Sequence, residues 1–223
     1  MFYVIISIIL VLVFRIWWAH FEMDEASIGY GDFIGHLTFV KEYRRNGGKE
    51  IDLNYLYTLN GPGYPNGFHK LFYYLRVPIQ ALERHGGKIP IICDALLLIL
   101  IATAIVFFGG THYEWLLAFP FLRLFYGNSG RAHHFSERAY GGLWGNIYLF
   151  TAFCFVTSEY WVWLIPTTIS FCIFSVSSKF AWQGTGFVSL GLSLITLDFT
   201  YICLFLGMAI LSIIISKGYS LVV

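Results

Sequence analysis

This sequence predicts an all-α, polytopic membrane protein of about seven transmembrane helices, with two amphipathic juxtamembrane helices in its first external loop. Three observations carry that prediction. The 223 residues are 57% hydrophobic and 12% charged, with mean hydropathy +0.67, whereas a soluble domain is about one-quarter charged. The apolar residues fall in runs of a length suited to crossing hydrocarbon. Phe, Tyr and Trp make up 20% of the chain, and they gather at the ends of those runs, where bilayer interfaces hold aromatic rings.

The first run, Phe2 to Trp18, carries one charge, Arg15. It lacks a basic leading region and a small-x-small cleavage site, and it ends in Trp17-Trp18, so it reads as a retained span. The next run, Ile89 to Gly109, has Pro90 near its first turn and closes on Gly109-Gly110, the positions where helices favour these residues. Tyr113–Tyr126, Leu143–Thr157 and Tyr160–Val176 follow as further candidates. The run from Thr185 to Ser216 would measure roughly 48 Å as one helix, too long for an upright pass. Asp198 near its middle predicts a break into two spans. Six spans is the fallback count.

Alternating spans put residues 19–88, 127–140, 177–184 and Lys217 on one side. That wet side holds the Lys and Arg of the loops, so the positive-inside rule assigns it to the cytoplasm. Residues 19–88 form the large external loop of a single transmembrane domain spanning 1–223. Within the loop, Phe33, Leu37 and Val40 recur at helical spacing, with Lys41, Glu42, Arg44 and Arg45 on the polar face and Asn46-Gly47-Gly48 as a stop. Asp32, after Gly31, reads as the N-cap of this helix. A second helix is expected after Pro65-Asn66, with Phe68, Leu71, Phe72 and Leu75 on one stripe, Pro78 bending or ending it and Gly86-Gly87 closing the tail. Both fit helices lying along the interface. Asn60 to Gly67 is a dense turn signal between them.

Several functions are disfavoured. A formal charge of +1 and the lack of a Lys/Arg block give no field for nucleic acid. Cys93, Cys154, Cys172 and Cys203 fall within apolar runs and read as small buried hydrophobes. Gly145, Gly184, Gly186 and Gly191 read as helix-packing positions rather than a phosphate loop. That argues against a soluble nucleotide-sugar enzyme.

An N-terminal span, an acid near the start of the first external loop and two juxtamembrane helices form one pattern. The pair Asp32-x-x-x-His36 belongs to it, as does Tyr64-Pro65-Asn66-Gly67-Phe68-His69 at the second helix. So do Phe135-Ser136-Glu137-Arg138 before a later span and Ser178-Lys179-Phe180-Ala181-Trp182-Gln183 at another. This organisation resembles the GT-C superfamily of membrane glycosyltransferases, which use polyprenyl-phosphate-linked sugar donors. The resemblance covers most of the chain. It implies sugar transfer from a lipid-phosphate donor to a glycan, lipid or protein acceptor at the periplasmic or luminal face, opposite to the charge bias. It also implies a plasma (inner) or endoplasmic reticulum membrane. Members usually have further spans and often a soluble C-terminal domain, so a chain of this length reads as a fragment, a minimal module or half of a split enzyme.

The resemblance assigns Asp32 to the acceptor, as general base or as the group that orients the attacking atom; a carboxylate at a low-dielectric interface suits that task. Asp24, just past the first span, is the competing acid, ahead of its neighbour Glu25. His36 lies one turn from Asp32, placed to orient the acid or contact a phosphate, or else to sit as an interfacial histidine with a backbone partner. His69 joins the substrate-binding candidates with its motif.

Arg131, His133, His134, Arg138 and Lys179 are brought to the same side by the topology. A lipid-phosphate donor leaves as an anion, which such cations stabilise. Arg138 is the foremost of them. Headgroup binding by snorkelling side chains is the alternative, and the better reading for Arg131. Adjacent His133 and His134 point roughly 100° apart on a helix and lack a zinc-site pattern, so no metal site is assigned. No cofactor is required, although a divalent cation is compatible with the family. The competing function is a non-catalytic membrane subunit, transporter or scaffold whose loop binds a partner or membrane lipids. Arg15, Arg123 and Asp198 form no transporter-like array.

Overall fold

The computed structural model describes residues 2–24, 30–49, 67–111, 116–117, 135 and 137–215, with the backbone alone described at 15–24, 30–33 and 215. The expected span Tyr113–Tyr126 and the turn from Asn60 lie largely outside the described residues. Among those residues the chain is all-helical. The helices are α1 (Phe2–Asp24), α2 (Tyr30–Arg45), α3 (Gly67–Tyr74), α4 (Ile79–His85), α5 (Lys88–Phe107), α6 (Glu137–Ser158), α7 (Leu164–Ser177), α8 (Lys179–Thr196) and α9 (Thr200–Ile215). A 3-10 turn, Trp161–Trp163, precedes α7. Two of these helices, α5 and α6, are long and apolar enough to cross a membrane.

Contacts group the chain into two compact units, Met1–Lys41 with Val77–Ala139 and Glu42–Arg76 with Tyr140–Val223. In the first, α1 packs on α5 through a cluster of Val11, Leu98, Ala102 and Leu116. In the second, α6, α7 and α9 enclose Tyr148, Ala152, Phe171, Phe174, Phe205 and Ala209. The Tyr148, Phe171 and Phe205 rings meet edge-on at centroid separations of 5.5–6.2 Å, each such pair adding about 0.5–1.5 kcal/mol beyond area burial.

Apolar surroundings require polar groups to be satisfied within the protein. The Thr167 hydroxyl donates to Trp163 O at 2.6 Å and reaches Thr151 Oγ1 at 3.0 Å, joining α7 to α6. Ser175 and Ser212 hydroxyls meet at 3.3 Å between α7 and α9. α6 and α8 approach through small residues. A Cβ at Gly141 would collide with the Ser178 side chain, and one at Gly145 would stand 2.8 Å from Thr185 Oγ1.

The break expected at Asp198 is present. α8 ends on Leu197 in the left-handed conformation, φ 56, and the Thr200 N–H donates to Asp198 Oδ1 at 2.9 Å. Hydrogen bonds from Thr200 hold the Asp198 carboxyl below its usual range. The expected stop after α2 is present too, with Gly47 and Gly48 at positive φ and the Gly48 N–H donating to Tyr43 O at 2.7 Å.

The second loop helix ends ahead of Pro78, as expected, the chain turning through Arg76 at φ 53. Other boundaries differ from expectation, and a further helix, α4, follows Pro78. Gly86 and Gly87 do not close a tail: both hold right-handed helical angles and lead directly into α5. α2 begins by Tyr30, so Asp32 lies inside its first turn and is not the N-cap. Gly31 is accommodated within the helix, since one glycine costs a helix only about 1 kcal/mol.

Candidate functional site

The first loop helix is placed by its buried stripe. His36, Leu37, Phe39, Val40 and Tyr43 are buried, the spacing of one apolar helix face. Two polar contacts fix α2 within the first unit. Lys41 Nζ meets Glu83 Oε1 of α4 at 3.0 Å; both side chains are nearly half exposed, so this bridge contributes at most about 1 kcal/mol. The other contact is buried. His36 Nε2 lies 3.1 Å from Glu137 Oε2, with side-chain exposures of 9% and 2%. Its burial sets it apart from the exposed Lys41–Glu83 bridge.

Glu137 opens α6, where a carboxylate is favoured by the positive end of the helix dipole. The contact therefore joins two motifs far apart in sequence, Asp32-x-x-x-His36 and Phe135-Ser136-Glu137-Arg138. Sequence reasoning singled out the second motif but gave its chemistry to Arg138 and passed over Glu137. A glutamate opening an apolar span was the available signal. It also passed over Asp94, which is buried in the apolar helix α5, where an acid is costly enough to be conspicuous.

In the second unit the remaining motifs converge. α3 lies close on α7, with the Gly67 Cβ position 2.8 Å from both Val176 Cγ2 and Val176 O and 3.1 Å from Ser177 Oγ. Any larger residue at Gly67 would push these helices apart. Phe68 packs edge-on to Phe72 at 5.0 Å and against Tyr140 of α6 at 5.4 Å. His69 is fully buried, its ring 5.5 Å from that of Phe68. Ser178 caps α8, accepting from the Ala181 N–H at 3.4 Å. The motifs at Gly67 and Ser178 thus lie at one junction of α3, α6, α7 and α8.

Arg138 and Lys179 are exposed in the first turns of α6 and α8. A cation there is disfavoured by the helix dipole. Backbone N–H groups beside a cation suit a bound anion, however. Asp24 is the last residue of α1 and Asp32 lies in α2; their side chains, like Arg131, His133 and His134, lie outside the described residues. Among the described residues no group of three His, Cys, Asp or Glu gathers as a metal site.

No protein family, curated protein or solved structure matches this chain.

Proposed function

We propose that this chain is a GT-C-type membrane glycosyltransferase, or the transmembrane module of one. It moves a sugar from a polyprenyl-phosphate donor to an acceptor at the periplasmic or luminal face of a plasma or endoplasmic reticulum membrane. Seven spans alternate across that membrane, with the donor tail between them. The observation that carries the reading is the buried approach of His36 to Glu137 at 3.1 Å, because it links two of the motifs on which the resemblance rests.

The mechanism follows from charge. Attack on the anomeric carbon needs an acceptor oxygen or nitrogen that is oriented and relieved of its proton, and Asp32 in the first turn of α2 does this. The glycosidic bond to phosphate breaks with inversion, and the electron pair leaves on the polyprenyl phosphate. Arg138, in the same unit as Asp32, stabilises that departing anion, and Lys179 is the other cation the resemblance offers for that role. His36 holds the turn carrying the acid.

This reading requires residues 46–49, which follow α2, to face the periplasm or lumen. With the four native cysteines replaced, a single cysteine at Asn46 or Lys49 is expected to react with an impermeant maleimide in intact cells. Labelling only after permeabilisation would reverse the orientation. The mechanism would then fall, and the non-catalytic subunit reading would be left.

A further inference from the structure

Asn146 stands near the middle of α6. At about 1.5 Å per residue it lies about 14 Å from the start of a helix about 33 Å long. α6 is one of the two helices long and apolar enough to cross a membrane, so Asn146 falls at the depth where water is scarcest. It is nevertheless exposed. Its Nδ2 donates to Gly142 O at 2.8 Å. A side-chain amide has two N–H donors and an accepting oxygen, and among the described residues that one bond is all Asn146 makes. The exposed hydroxyls of the spans differ. Thr103 and Thr157 each donate their single proton to the carbonyl four residues back, which leaves no donor unmet.

An amide left unmet in hydrocarbon is costly, and membrane helices satisfy it across a contact with another helix. One turn earlier on the same face, Gly142 has open space where a Cβ would stand. A second backbone can approach α6 closely there. The candidate span that precedes α6, Tyr113–Tyr126, has Ala118-Phe119-Pro120-Phe121 at its middle, with no side-chain donor or acceptor to offer. A second copy of the chain does have one. Copies inserted in the same orientation carry Asn146 at the same depth. An amide both donates and accepts, so two can pair about a twofold axis along the membrane normal.

We propose that α6 is a self-association surface of this chain, on which Asn146 pairs with Asn146 of the partner subunit beside Gly142. The inference rests on α6 crossing the membrane and not on sugar transfer.

The test is Förster transfer between donor- and acceptor-labelled full chains in phosphatidylethanolamine–phosphatidylglycerol vesicles. The labels are carried by a cysteine at Lys49, with the four native cysteines replaced. Transfer is expected to exceed that of randomly placed chains and to fall when unlabelled chain is added. Asn146→Leu is expected to raise the protein-to-lipid ratio at half-maximal transfer at least tenfold. A leucine suits an exposed position in a span, so its thermal unfolding should not move down. Asn146→Gln keeps the amide and is expected to retain most of the association, while Gly142→Leu fills the adjoining space and weakens it. Gly184→Leu on α8, also in open space, is the control and is expected to leave transfer unchanged. Wild-type transfer no greater than random overturns the proposal and gives the amide to another segment of the chain or to a different subunit. Equal half-maximal ratios for the wild type and a folded Asn146→Leu protein overturn it as well. Neither result depends on turnover, so the transferase reading stands or falls separately.

Discussion

Asp32→Asn is expected to lower sugar transfer by about 10²–10⁴-fold, the usual contribution of a positioned acid or base, while leaving the protein folded. The asparagine keeps the size of the side chain and removes its charge. Asp32 sits within α2 rather than at its cap, and its exchange for asparagine removes the dipole interaction of a carboxylate near a helix start, about 0.3–1 kcal/mol. Asp24→Asn, at the end of α1, is the matched control and is expected to retain most of the activity. Transfer rates and thermal unfolding of both variants should be measured together. Near-normal transfer by Asp32→Asn, or a loss that only tracks unfolding, would remove Asp32 from the chemistry.

The second large effect is on stability and lies where α6 meets α8. A methyl group at Gly141 would overlap the Ser178 Cβ and approach the Ala181 Cβ within 3.1 Å. Both neighbours are held by their helices, and Ser178 is also the cap of α8, so neither yields easily. Gly141→Ala is expected to cost about 1–3 kcal/mol through overpacking. Gly184→Ala has the opposite expected sign. Open space surrounds Gly184, and replacing a helical glycine by alanine there stabilises by about 0.4–1 kcal/mol. Thermal unfolding in detergent distinguishes them: equal shifts for the two variants would mean that α6 and α8 do not approach as described.

Local signals in the sequence carry a good part of this architecture. The break at Asp198 is legible because an apolar run of that length cannot remain one upright helix, and Asp198 accepts the Thr200 N–H to start the next one. The α2 stop at Asn46-Gly47-Gly48 is legible because positive φ at both glycines is a local requirement. Gly145 is correctly read as a packing glycine, and Gly186 packs on Phe205, but Gly184 and Gly191 face open space. Composition cannot say which glycines on a helix meet a neighbour.

The candidate site is less legible for the same reason. The pattern identifies His36 as a residue of interest and gives it a neighbour one turn away, Asp32. The partner the structure provides is Glu137, which helical spacing cannot reach because it comes from another helix. The cap assigned to Asp32 fails because α2 already includes Tyr30 and Gly31 ahead of it. His69 reads from its motif as a substrate contact, and the fold buries it beside the Phe68 ring.

Recognition of a lipid phosphate is the centre of the account, and binding measures it without knowledge of the sugar or the acceptor. The full chain in nanodiscs should be titrated with undecaprenyl phosphate and with undecaprenol, which has the same tail and no phosphate, and each complex counted by native mass spectrometry. The phosphate form is expected to bind at least tenfold tighter, equivalent to about 1.4 kcal/mol. This preference is expected to disappear in the Arg138→Gln, Lys179→Gln double variant while undecaprenol binding is unchanged. Equal affinity of the wild-type protein for the two lipids would contradict such recognition.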